Sequence, residues 1–149
     1  VPLKIMFPQA DIPCVQLSLL NTLDANAHIK LGKALANFNY DNLLILGSGF
    51  SFHNMKAFFS PEDATADSKN AEFQSWLEQV CSSKTLNEEE RADKLSHWQQ
   101  APFAEFCHPR EEHLLPLHVC YGAAGKASDE AITVTALNKE ARMFYWQLN

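Results

Sequence analysis

The chain has 149 residues, 46% hydrophobic and 20% charged, which at this length is enough apolar content to bury the core of one globular domain. A formal net charge of -6, without clustered Lys and Arg, excludes a nucleic-acid footprint. No apolar run approaches the ~20 residues of a bilayer-spanning helix, and the first residues lack the pattern of a signal peptide, so no membrane partner is expected.

Taken in order, Val1 to Phe7 is already apolar and no Met precedes it, the pattern of a chain that begins inside a folded unit. In Ile12 to Leu20, Val15, Leu17 and Leu19 alternate with Gln16 and Ser18, the period of a strand. Asp24 is a candidate N-cap for an amphipathic helix whose apolar positions are Ala27, Leu31, Ala34, Leu35 and Phe38, ending near Asn39 to Asn42. Leu43 to Leu46 is a continuous apolar run that stops at Gly47-Ser48-Gly49, as a strand buried on both faces of a parallel sheet does. Strand, helix and strand predict a βαβ unit.

Ser60 to Asn70 has turn composition and predicts a surface loop. Phe73, Trp76, Leu77 and Val80 then mark one helix, and Asn87 with Glu90 opens a second through a capping box, to fade before Pro102. His108-Pro109 predicts another helix start, with Glu111 and Glu112 at its positive end and Pro116 as a kink or a limit. Gly122 to Gly125 lacks the spacing of a dinucleotide-binding turn and predicts close helix packing at a helix end. Ala131 to Leu137 and Ala141 to Trp146 predict a hairpin turning at Asn138 to Glu140. Cys14, Cys81, Cys107 and Cys120 show no C-x-x-C spacing, so they predict reduced, mostly buried thiols in a cytoplasmic protein.

Two segments hold candidate chemistry. In GSGFSFHN, Gly47 to Asn54, His53 follows the end of the Leu43 to Leu46 run, where open α/β sheets keep their ligand sites. It can transfer protons near neutral pH, or merely cap the next helix. In HPREEHLLPLH, His108 to His118, the histidines His113 and His118 stand five residues apart and do not share a helical face. One metal ligand from this segment is therefore expected, and His113 is the candidate. Arg110 and Glu111 fit a solvated charge cluster. His28 and His97 lie on the polar sides of their helices and read as surface residues, while Trp76, Trp98 and Phe144 to Trp146 read as packing aromatics. A hydrolase using Ser48 or Ser51 with His53 is disfavoured, because the G-x-S-x-G pattern is absent.

The segments DIPCVQLSL, LILGSGFSFHN, HPREEHLLPLHV and GAAG, in this order, resemble the C-terminal half of class III extradiol ring-cleavage dioxygenases. This DOPA-dioxygenase-like family includes the catalytic subunit of protocatechuate 4,5-dioxygenase. The resemblance covers Val1 to about Gly125 and is loose from Lys126 on. It implies an α/β fold, a central mixed sheet with helices on both faces, of which residues 1–149 form the C-terminal part of one larger catalytic domain. It also implies that His53 is the acid/base and His113 a metal ligand. Two further metal histidines belong to an N-terminal half, so the resemblance implies a second fragment of the same polypeptide as partner, and activity only with it.

The implied reaction is Fe(II)-dependent insertion of O2 into a catechol to give a ring-opened semialdehyde, with Zn able to occupy the same ligands. The alternative is a catalytically silent metal-binding homologue acting as a binding or storage protein. The catechol, the cleaved bond and the oligomeric state are left open by the sequence.

Overall fold

The computed structural model describes residues 2–38, 42–60 and 63–148. In chain order the helices are α1 (Pro2–Met6), α2 (Ala25–Leu35), α3 (Met55–Phe58), α4 (Ala64–Ser82), α5 (Glu88–Ser96), α6 (Ala104–Cys107) and α7 (Leu115–Ala124). A 3-10 turn, Trp98–Gln100, separates α5 from α6, and the chain closes with β1 (Glu130–Ala136) and β2 (Lys139–Tyr145). These two strands pair antiparallel, with Glu130 opposite Tyr145 and Ala136 opposite Lys139.

The expected central sheet with helices on both faces is not found among the described residues, where the two-stranded β1-β2 sheet stands alone. Neither Ile12 to Leu20 nor Leu43 to Leu46 is a strand. Val15 is 95% exposed, and Leu17, Leu43, Leu44 and Leu46 are exposed as well. Alternation and apolar runs record which side chains favour burial, but a strand also needs a neighbour to pair its N–H and C=O groups. No such neighbour pairs with either run among the described residues.

Helix α2 begins where expected, its first turn capped by Asp24 accepting the Ala27 N–H at 2.6 Å. The face it buries is different: Ala25, His28, Ile29 and Gly32 rather than Ala27, Leu31, Ala34, Leu35 and Phe38. The reason is its partner α7, against which it packs. A Cβ on Gly32 would lie 2.0 Å from the Val119 carbonyl oxygen, and one on Gly122 2.1 Å from that of Ile29, so the two backbones touch. Small residues set this face, as the Gly122 to Gly125 segment suggested, and Gly125 ends α7 in the left-handed region at φ 61°. His28, read as a surface residue, is fully buried. Its Nε2 accepts the Leu20 N–H at 3.1 Å, which leaves Nδ1–H to donate to the Asp24 carbonyl at 2.6 Å. The helix runs to Leu35, and the expected end at Asn39 to Asn42 falls largely outside the described residues.

The expected loop at Ser60 to Asn70 is mostly helix. Asp63 accepts from the N–H groups of Thr65 and Ala66 and opens α4. Its buried stripe contains the polar Asn70 and Gln74 beside Phe73, Leu77 and Val80, and these polar members hide the helical period. Helix α4 packs against β2, α5 and α6. Phe52, Phe73, Leu77, Leu95, Leu114 and Leu115 form the buried centre of the core with Trp98. The capping box of α5 forms as expected, Asn87 accepting from the Glu90 N–H and Glu90 from the Asn87 N–H. The hairpin is also found, but it turns on Leu137 and Asn138, both at positive φ, with Lys139 and Glu140 already in β2.

Candidate active site

The helix expected from Pro109 opens instead at Leu115, with Pro116 in its first turn. Upstream, His108 ends α6, and the Glu111 carbonyl takes the N–H groups of Leu114 and Leu115, so residues 109–114 form turns. A proline is tolerated in a first turn because its missing N–H has no intrahelical partner there. His113 therefore sits on a turn at the mouth of α7, and not on a helix.

The two motifs meet at this turn. Gly49 packs so tightly that a Cβ would lie 2.3 Å from the His113 carbonyl oxygen, and one on Gly47 would lie 2.7 Å from Cys120 Sγ. The Phe50 N–H donates to the His113 carbonyl at 3.1 Å. These close approaches explain the glycines of GSG: the loop lies directly on the backbone that carries His113. Three residues later the imidazole of His53 stacks on that of His113, ring centroids 3.5 Å apart and planes 19° from parallel. Both side chains are half-buried.

The rival reading of His53 as a helix cap is answered by its neighbour. Asn54 caps α3, accepting the Ala57 N–H at 3.0 Å and donating from Nδ2 to the Phe106 carbonyl at 2.8 Å. The imidazole of His53 is left free of that task. Burial holds its pKa below the ordinary histidine value, the charge of a protonated His113 against it adds to the lowering, and the Glu112 carboxylate opposes both. Neutral imidazole is thereby favoured at His53.

Glu112 was grouped with the helix-capping charges. Its buried Oε2 lies 3.4 Å from Arg110 Nε, an ion pair without hydrogen-bond geometry. Arg110 is exposed, in keeping with its reading as a solvated charge. Of the other candidates, His118 is buried between the carbonyls of Leu95 and Leu114, and His97 is exposed beside Asp93. Ser51 Oγ, weighed as a nucleophile, is buried, donates to Gln74 Oε1 at 2.7 Å and accepts the Arg142 N–H at 2.7 Å. It is a structural hydroxyl. Cys81 and Cys107 are buried thiols pushed up to about 12 by that burial, and Cys14 is exposed.

Among the described residues no group of three or more His, Cys, Asp or Glu side chains gathers to hold a metal. A bound metal needs at least three protein ligands or an equivalent set. His113, an imidazole with a second imidazole and a carboxylate nearby, is chemically suited to be one of them for iron or zinc. The described residues thus fit a contribution to a metal site and not a whole one. No helix among them is long and apolar enough to cross a membrane.

Helices packed on a hairpin gather a half-buried histidine pair between a glycine loop and a helix mouth. The sequence pattern of the family described as the catalytic LigB subunit of aromatic ring-opening dioxygenase matches residues 1–145, and the chain belongs to that family. It is 40% identical over 128 residues to a protein named 4,5-DOPA dioxygenase extradiol from Beta vulgaris, covering 86% of this chain and 46% of the relative. It is 33% identical over 161 aligned residues to the dioxygenase tasH of Hapsidospora irregularis, covering 98% of this chain and 47% of that one. A 4,5-DOPA dioxygenase extradiol-like protein of Schizosaccharomyces pombe is 32% identical over 133 residues, 89% of this chain and 43% of its own length. The chain spans about half the length of the curated relatives it matches.

Proposed function

We propose that the protein is an extradiol ring-cleavage dioxygenase acting on a catechol, with His113 as one ligand of a non-haem Fe(II) and His53 as the acid/base. The observation that carries this reading is the stacking of His53 on His113, which brings the two candidate histidines from separate motifs into one site. The relatives named as extradiol dioxygenases support the reaction class.

Bound iron would supply the redox chemistry that couples O2 to the aromatic ring. The chain's own residues do the rest. His53, held toward its neutral form, would accept a catechol hydroxyl proton at an imidazole nitrogen and return a proton as the ring opens. Glu112, close enough to influence His53, would stabilise the imidazolium while it holds that proton. The Gly47 to Gly49 backbone, pressed against His113 and Pro116, fixes the distance between the proton carrier and the ligand.

We take the remaining ligands to come from an N-terminal fragment of the same polypeptide, as the resemblance implies. Val15, Leu17, Leu44 and Leu46 expose apolar surface that supports such a partner. Metal analysis combined with oxygen uptake on DOPA tests the proposal. Iron with O2 consumed one-to-one against ring-opened semialdehyde is the expected result. Bound zinc with no O2 uptake would instead favour a metal-binding homologue without catalysis.

A further inference from the structure

The loop that carries His53 is held by bonds that proton transfer itself does not require. The Ser51 carbonyl oxygen accepts from Gln74 Nε2 at 2.8 Å and from His108 Nε2 at 2.8 Å, so α4 and the end of α6 both grip it. His108 is 2% exposed. A carbonyl can only accept, so the proton of this imidazole is on Nε2, and the buried Nδ1 has no hydrogen-bond partner among the described residues. Further along, the His53 N–H donates to the Cys107 carbonyl at 2.8 Å and Asn54 Nδ2 to that of Phe106. Residues 51, 53 and 54 are thus tied in reverse order to 108, 107 and 106. On the other side, Phe50 is tied to His113.

Packing alone does not call for a histidine at this position. The ring of His108 lies between Phe73 and Trp98, centroids 5.5 and 5.9 Å away, a setting in which a phenylalanine would serve. Burying an imidazole there carries a desolvation cost that a phenyl ring avoids. What the imidazole adds is a donor aimed at the Ser51 carbonyl.

We propose that His108 is a positioning residue for His53: its Nε2–H, donated to the Ser51 carbonyl, fixes the loop that lays the His53 imidazole against His113. The catalytic consequence rests on the reading of His53 and His113 given above, and the geometric one does not. Losing the donor frees one side of the carbonyl, and the loop then moves on the remaining ties to Gln74 and Cys107. A displacement of about 1 Å at a reacting group is enough to lower turnover roughly 10²-fold.

The test uses the native protein and its H108F, H108Q, Q74M and V80A variants, read by two signals. The first is the ring-current shift that the stacked His113 imparts to the His53 ring protons in NMR. The second is kcat and KM on DOPA. H108F is expected to lose the shift and to lower kcat roughly 10²-fold while KM stays within about twofold. H108Q, which restores a terminal amide donor, is expected to recover both signals. V80A trims the core away from the loop and controls for general destabilisation, so it should change neither. A folded H108F that keeps the shift, or an H108Q that fails to restore it, would overturn the proposal. If H108F does not fold, Q74M removes the second donor on the same carbonyl, and an unchanged shift there overturns the clamp as well. A wild type that shows the shift but turns over no catechol would defeat the proposed function and leave the clamp decided by NMR.

Discussion

His53 and His113 lie on different segments of the chain, yet their imidazoles stack 3.5 Å apart because the Gly47 to Gly49 loop rests on the backbone at the mouth of α7. In the proposed reaction His113 would be the metal ligand and His53 the proton carrier. The two roles carry different expected mutational signatures.

Replacing His113 with Ala should abolish metal retention in the assembled protein, since loss of one of a minimal set of ligands leaves too few to hold the ion. His108→Ala should retain the metal, because its imidazole is buried against Ser51, Phe73 and Trp98. Metal content per protein after gel filtration measures both. A metal-loaded H113A alongside a metal-free H108A would reverse the assignment.

His53→Ala should leave metal content unchanged while turnover of a catechol falls roughly 10²-fold or more, the loss typical of a missing acid/base. Parallel metal analysis and steady-state kinetics decide it. Turnover equal to the wild type would remove His53 from the reaction.

Part of the fold was legible because its determinants are local. The capping box Asn87/Glu90 and the small-residue packing at Gly122 are each written into a few neighbouring residues and appear as expected, as does the closing hairpin apart from its turn, which falls at Leu137 and Asn138. His53 and His113 stood out by residue type and by the motifs around them. What could not be read depends on partners distant in the chain. Gln74 and Asn70 look like breaks in an amphipathic helix until Ser51 and the Glu140 carbonyl are seen to satisfy them. His28 looked exposed because its helix buries a face chosen by the close approach of Gly32 and Gly122. The runs at 12–20 and 43–46 carry the period of strands, but pairing is a property of two segments, and sequence period describes one.

Gly49→Ala should destabilise the fold by about 1–3 kcal/mol, the usual range for forced overpacking. Its new Cβ would meet the His113 carbonyl at 2.3 Å, and a backbone atom held by the Phe50 N–H cannot step aside as a side-chain tip can. The shift in denaturation midpoint at constant slope gives the magnitude. An unchanged midpoint would show that the loop and the turn are not locked together.

Leu137→Asn should raise stability by about 1 kcal/mol. Leu137 is exposed and occupies the left-handed region at φ 48°, where a Leu side chain pays a steric penalty that Asn largely avoids. The two-residue turn that joins β1 to β2 favours Asn at such positions. Thermal melting of the single variant measures this, and a lower melting temperature would contradict the turn assignment.

Acidification should weaken the protein through His108 over a defined interval. Burial lowers its pKa from 6.5 to about 4, the bond to the Ser51 carbonyl opposes that shift, and the charges of His53, His113 and His118 reinforce it. Between about pH 6.5 and 4 the unfolded chain therefore binds a proton at this site that the folded chain does not. Stability rises with pH wherever the unfolded state holds more protons, so it falls as the pH is lowered through this interval and levels off for this group below about 4. The full effect is on the order of 3 kcal/mol. His118, whose pKa is also lowered by burial, adds a loss of the same sign. Urea midpoints at pH 7, 5.5 and 4 should trace the decline, and His108→Gln, which keeps a donor but cannot titrate, should flatten part of it. An identical pH dependence in wild type and H108Q would mean that His108 is not held neutral by its surroundings.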